Sequence, residues 1–214
     1  MIMTAKPSLR CEGLCVSYGR KHVFRGLDLS LGAGIHALRG PNGIGKSTAL
    51  RVLAGAQAWD AGQVWIDGID LAQSPRQARQ RLSYVADEAV AYPFMTGRDL
   101  LDFCAWAKRS TIDESVEAAI RDFGLQSHLA TRFDAISLGT ARKMAICAGL
   151  IGKPAVLLLD EPSNGLDRAS VDHLAALLRE RAGDTVILMS SHDDDFLQAT
   201  GAASLFMEDL MAQA

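Results

Sequence analysis

The sequence predicts an α/β fold, on three observations. Two short apolar segments, residues 156–159 and 185–190, flank a helical stretch at 170–181, and that strand, helix, strand order is the mark of parallel strands buried on both faces. Apolar residues at 34–38 run into a glycine-rich turn that begins at Gly40, and from Ser47 onward the pattern becomes helical. Between about residue 96 and residue 152 the chain reads as almost wholly helical.

Taken in order, residues 14–18, 23–31 and 34–38 alternate or cluster apolar side chains between glycine-bearing turns and read as strands. Leu50, Leu53 and Ala54 keep helical spacing up to Gly55, a helix stop, and Val64-Trp65-Ile66 before Asp67-Gly68 then suggests a hairpin. In the helical stretch, Leu100, Leu101, Phe103, Cys104 and Ala107 form one expected apolar face. Val116, Ala119, Ile120 and Phe123 form another. Residues 208–214 are expected to fray, and there is no internal repeat, low-complexity tract or linker.

Apolar residues make up 49% of the 214 and charged residues 22%, the composition of a globular protein large enough for one real core. The formal charge of −3 supplies no basic field, so no nucleic-acid partner is expected. Cys11, Cys15, Cys104 and Cys147 fall in no CxxC pair and are read as reduced packing residues. The first residues lack the apolar run of a secretory signal, and no window approaches the roughly 20 apolar residues of a membrane-spanning helix. Any membrane role is therefore expected to come through a partner.

The segment Gly40-Pro41-Asn42-Gly43-Ile44-Gly45-Lys46-Ser47-Thr48 matches GxxxxGK[ST] after a strand and before a helix, where a phosphate-binding loop must sit. Its glycines let backbone N–H groups turn toward phosphate oxygens, and the helix start adds positive potential. Lys46 is expected to reach the β- and γ-phosphates of ATP and Ser47 to ligate Mg2+, with Thr48 a weaker phosphate contact. Far along the chain, the apolar strand Val156-Leu157-Leu158-Leu159 ends in Asp160-Glu161. Buried carboxylates are costly without a task. Asp160 is expected to hold the metal through water, and Glu161 to orient or deprotonate the attacking water.

Together these elements resemble the nucleotide-binding subunit of ATP-binding cassette transporters over nearly the whole chain. The resemblance implies a single domain, 1–214: a P-loop NTPase (RecA-like) core with an N-terminal antiparallel β subdomain at about 1–88 and 153–214, and an inserted helical subdomain at about 89–152. Tyr18 occupies the place of that family's adenine-stacking aromatic. Ile136-Ser137-Leu138-Gly139-Thr140, followed by Arg142 and Lys143, looks like the signature that opens a helix. In the family it serves the opposite subunit, so Ser137 and the Gly139 backbone would touch the γ-phosphate across a dimer. Ser163-Asn164-Gly165-Leu166-Asp167 resembles the loop that communicates between the two sites. His192, in Ser190-Ser191-His192-Asp193, resembles the switch histidine that senses the γ-phosphate.

By the same resemblance the chain pairs as a homodimer or heterodimer of cassettes. It would sit on the cytoplasmic face of a membrane through separate membrane-spanning subunits, and hydrolyse ATP to power export. Those subunits are expected to place a short helix in the groove beside the helical lobe, near residues 89–95. Two positions depart from the family pattern. Asp87 stands where a glutamine is usual, a possible metal ligand that cannot donate a hydrogen bond, and Leu138 replaces the first signature glycine. A DNA-repair or chromosome-organising ATPase, a tandem-cassette translation factor and a single-site P-loop kinase share parts of the pattern. The first two lack here their long insertions or second cassette, and the kinase would lack the signature and His192.

Overall fold

The computed structural model describes residues 8–88 and 92–211. Its first layer is an antiparallel sheet. Strand β1 (Leu9–Tyr18) pairs with β2 (Lys21–Leu31), and the next strands form the second part of the chain's parallel core and a hairpin: β3 (Gly34–Arg39), then β4 (Ala61–Ile66) and β5 (Ile69–Asp70). β4 lies on the other side of β1 and turns back onto β5, giving the order β2-β1-β4-β5. The expected hairpin turn has positive φ at Asp67 (51°) and Gly68 (77°), the backbone that matches the twist of the flanking strands. β1 begins at Leu9 rather than at residue 14, because register shifts around Gly13 let a bulged strand stay paired on both sides.

The second sheet is parallel and also contains β6 (Leu82–Val85), β7 (Val156–Asp160), β8 (Val186–Ser190) and β9 (Ala203–Phe206), in the order β6-β7-β8-β3-β9. β7 and β8 are buried at every position. Side chains alternate across a sheet, so Val156, Leu158, Val186 and Leu188 pack into one apolar cluster with the antiparallel sheet and α1 (Lys46–Leu53). Leu157, Leu159, Ile187 and Met189 pack into another, with residues from the helices that follow. Burying each such side chain contributes about 1.5–3 kcal/mol, which explains why the sheet carries no polar stripe between its ends.

The helices are α2 (Pro75–Gln80), α3 (Gly97–Lys108), α4 (Glu114–Asp122), α5 (Leu138–Leu150), α6 (Arg168–Arg181), α7 (Asp194–Thr200) and α8 (Met207–Met211). Thr96, Asp113, Ser137, Asp167 and Asp193 cap α3 to α7 with side-chain oxygens, and Thr96 and Asp99 form a reciprocal capping box. The second expected face holds: Val116, Ala119, Ile120 and Phe123 are all buried.

The structure corrects the sequence reading at several points. The helical stretch is broken at Gly124 (φ 68°) and by 3-10 turns at Gln126–His128 and Phe133–Ala135, so α5 starts only at Ser137's cap. On α3 the buried side chains are Leu101 and Ala105, while Phe103 is 56% exposed. Phe103 instead walls a largely apolar groove of about 500 Å³ with Val85, Leu100, Cys104 and Ala148. Residues 208–211 do not fray: they continue α8, and Leu210 and Met211 pack against an apolar cluster, with residues 212–214 outside the described ones.

Residues 89–91 of the expected docking strip also lie outside the described residues. Tyr92 and Phe94 are exposed and stack on each other at 5.5 Å between ring centroids. Cys11 and Cys147 are buried free thiols, and burial pushes each up to about 12, as packing cysteines should be. Among the described residues no helix is long and apolar enough to cross a membrane.

Candidate active site

Between β3 and α1 the chain makes a tight loop whose glycines take left-handed backbone: Gly40 (φ 142°), Gly43 (80°) and Gly45 (112°). A Cβ on Gly45 would lie 2.7 Å from Val23 of β2, so the loop is pressed against the antiparallel sheet and only glycine fits there. Unlike α3 to α7, α1 has no side-chain cap. Its first N–H groups, beyond Gly45, are therefore left for an anion.

Lys46, 6% exposed, donates from Nζ to the carbonyl oxygens of Gly40 (2.8 Å) and Pro41 (3.2 Å), which curls the loop around its ammonium. Burial lowers the Lys46 pKa, opposed by the Glu161 and Asp160 carboxylates. One turn of loop and helix thus holds a cation, uncapped N–H groups and the Ser47 hydroxyl at a single mouth.

The far half of the site comes from the ends of β7 and β8. Asp160 is 3% exposed, and its Oδ1 accepts from the hydroxyls of Ser47 (3.0 Å) and Ser190 (2.6 Å). Sheet register explains the second bond, since Asp160 and Ser190 are directly paired on β7 and β8. Burial, with the Asp160 carboxylate near, pushes the Tyr84 phenol up to about 12.

Glu161, the next residue, sits at φ 48°, a strained value for a side chain with a Cβ. Its N–H donates to Ser190 O (3.1 Å) and Oγ (3.0 Å). Its carboxylate accepts from the His192 N–H (3.2 Å) and lies 3.4 Å from His192 Nε2. Burial raises the Glu161 pKa, with His192 the chief opposing influence.

A cleft of about 380 Å³ joins these parts. It is lined by Tyr18, loop residues Asn42, Gly43, Ile44, Gly45, Lys46, Ser47 and Thr48, and by Glu161 and His192. The Tyr18 ring is 54% exposed at its rim and its hydroxyl donates to Gln57 (2.8 Å). Lys21 and His22 line the same cleft. Neither stood out in the sequence, because a lysine and a histidine on a surface strand have no spacing that marks them.

Ser137 and Gly139 are not in this cleft. Ser137 caps α5, accepting from the Thr140 N–H at 3.1 Å. A Cβ on Gly139 would stand 2.6 Å from the Gly165 carbonyl, so the first turn of α5 lies hard against loop 163–167. Leu138 between them is 70% exposed. Asp87 is held apart as well: its Oδ1 accepts from Arg142 (3.3 Å) and from Asn164 (3.3 Å). Among the described residues it bonds neither Ser47 nor Asp160.

Arg142 is the residue whose weight the sequence did not show. It is 2% exposed, and its guanidinium donates to the main-chain oxygens of Ala86, Asp87, Asp160 (2.6 Å) and Glu161. A basic residue inside an apolar helix was the available signal, since such a charge is buried only when paired.

The oxygens of Ser47 and Asp160 suit a hard divalent cation. Among the described residues no group of three or more His, Cys, Asp or Glu side chains converges. A magnesium ion here would therefore take its remaining ligands from phosphate and water, as that ion commonly does.

The family model described as ABC transporter matches residues 24–164. The daunorubicin resistance ATP-binding protein DrrA2 of Streptomyces coeruleorubidus is 32% identical over 86% of this chain and 59% of its own length. The spermidine/putrescine import ATP-binding protein PotA of Mesoplasma florum is 32% identical over 87% of this chain and 55% of its own. The chain thus spans less than two thirds of these curated relatives. A solved ATP-binding subunit of an ABC transporter superposes with a TM-score of 0.84 at 25% identity, over 92% of this chain and 85% of its own. The chain belongs to the ABC transporter family.

Proposed function

We propose that the chain hydrolyses Mg-ATP at composite sites shared with a second cassette, identical or not, and so powers export by separate membrane-spanning subunits on the cytoplasmic face of a membrane. The observation that carries this reading is the cleft that sets Lys46, the Ser47–Asp160 bond and the Glu161–His192 pair around one mouth.

In this reading the backbone of Gly40, Pro41, Asn42, Gly43, Ile44 and Gly45 cradles the phosphates, Lys46 neutralises the transferred group, and Thr48 adds a weaker phosphate contact. Tyr18 stacks on the base. Ser47, and Asp160 through water, would hold a magnesium ion, which would supply positive charge to the phosphates. Glu161 draws a proton from the attacking water, and His192 orients that carboxylate and meets the γ-phosphate. Ser137 and the Gly139 backbone serve the partner's nucleotide. Asp87 would join the metal only by giving up Arg142. Residues 89–152 act as the helical lobe of a single domain, 1–214, and a short helix from a membrane subunit docks beside that lobe, near the exposed Tyr92 and Phe94.

Export is favoured by likeness to a resistance protein, and import by likeness to PotA. Uptake into inverted vesicles, compared with right-side-out ones, separates the two. Hydrolysis is tested by Glu161→Gln and Lys46→Ala. The first should bind ATP, accumulate as an ATP-bound dimer and turn over about 100-fold or more slowly. The second should lose ATP affinity by about tenfold or more. A Glu161→Gln chain that stays monomeric in ATP and keeps the parental rate sinks the reading.

A further inference from the structure

We propose that Arg142 is a positioning residue for ATP hydrolysis, which fixes the main chain of Asp160 and Glu161 and ties it to the signature helix α5. The inference rests on the hydrolytic reading above and adds a residue to it.

The geometry is unusual in what a single side chain joins. Arg142 belongs to α5, just beyond the Ser137 cap. Its N–H groups reach the carbonyls of Ala86 and Asp87, past the end of β6, and those of Asp160 and Glu161, at the end of β7. It also pairs with the Asp87 carboxylate at 3.3 Å, and Asp87 in turn accepts from Asn164 in the loop against which Gly139 packs. Helix α5, the Asp87 loop, the carboxylate strand and loop 163–167 therefore meet at one guanidinium.

Burial makes Arg142 a costly stabiliser. A buried charge costs more than a well-packed apolar side chain unless every N–H is satisfied. Among the described residues Arg142 Nε finds no partner. What the side chain supplies is placement.

Glu161 holds a left-handed backbone that an L-residue rarely keeps unaided. Its N–H is fixed by Ser190, and its carbonyl by Arg142. Releasing the carbonyl lets the peptide relax and swings the carboxylate away from the cleft. Because the clamp is mounted on α5, a shift of the Ser137 end toward a partner's nucleotide moves Glu161 in the chain's own site.

A planar fork of five N–H groups spans several carbonyls, whereas an ammonium is a point charge and does not. The test measures kcat, and separately the affinity for a fluorescent ATP analogue with magnesium, in the full chain carrying Arg142→Lys or Arg142→Met. Both variants should lose about tenfold or more in kcat, because small misplacement at the reacting atoms is costly. Affinity should stay within about twofold, because the phosphate cradle is untouched. Hydrogen exchange at the Glu161 amide should speed up.

Arg142→Lys turning over at the parental rate overturns the proposal. So does affinity falling in step with kcat, or failure of both variants to fold, since the residue is then a folding element only. Glu161→Gln runs in the same series: if it matches the parent, the hydrolytic reading fails, and if it is slow while Arg142→Lys is normal, only the role of Arg142 fails.

Discussion

The Ser47 hydroxyl donates to Oδ1 of Asp160 at 3.0 Å, joining the first turn of α1 to the last residue of β7. These two oxygens are the pair through which magnesium would be held, so Ser47→Ala should raise the magnesium concentration for half-maximal turnover by about 10-fold or more. A magnesium titration of the ATPase rate checks it. Equal midpoints for parent and variant would remove Ser47 from the metal site. Chelation by EDTA should abolish turnover in both chains.

Leu138 is 70% exposed at the start of α5, the turn that the proposed reading sets against a partner's nucleotide. Leu138→Gly should raise the ATPase rate at saturating ATP without changing affinity for ATP, since the phosphate loop is unaltered. The substitution sits in a first helical turn and should cost at most about 1 kcal/mol in thermal stability. A rate equal to the parent's would show that the branched side chain is no obstacle.

Asp167 caps α6 and pairs with Lys143 on α5 at 2.8 Å. The Lys143 ammonium, then the Ser170 N–H and hydroxyl, hold its carboxyl well below the usual carboxylate range. A depressed folded-state pKa contributes stability above the unfolded value, and that stability is lost as pH falls through the folded one. Lys143→Met should therefore raise the Asp167 titration midpoint and bring forward, to higher pH, the acid loss of the α6 cap. Carboxyl NMR titration of both chains tests this, and an unmoved midpoint refutes it. Because Asp167 is exposed, the effect on stability at neutral pH should be small.

Tyr92 and Phe94, 67% and 65% exposed, stack in the open rather than folding into the core. If the proposed docking holds, replacing both with aspartate releases the chain from the membrane subunit while ATP binding persists. Co-purification in detergent reads this out, and undiminished recovery of the membrane subunit ends the docking idea. The doubly charged chain should stay soluble and folded, since neither ring contributes to an apolar cluster.

Much of the site was legible because its pieces are contiguous in sequence and chemically costly. A glycine loop before Lys46 and a carboxylate pair after four apolar residues have few innocent explanations, and the structure brings Glu161 and His192 to the same cleft. What escaped was non-local. Ser190 holds Asp160 because β7 and β8 are in register, and no local pattern announces a register. Arg142 read as one more helical cation until its carbonyl partners came from two other segments. The helical reading of 96–152 gave the element type but not its breaks, because Arg109, Gly124 and two 3-10 turns interrupt the backbone before Ser137 caps α5.

The alternation along β7 and β8 bears on how the molecule comes apart. Val156, Leu158, Val186 and Leu188 face one apolar cluster, and Leu157, Leu159, Ile187 and Met189 face the other. Melting either side would strip one face of the same strands and expose it to water at about 25 cal/mol per Å². Neither half can therefore be lost while the other keeps its value. The antiparallel layer and the helical layer should unfold in one transition, seen at the same denaturant concentration by a tryptophan on either side, Trp65 in β4 or Trp106 in α3.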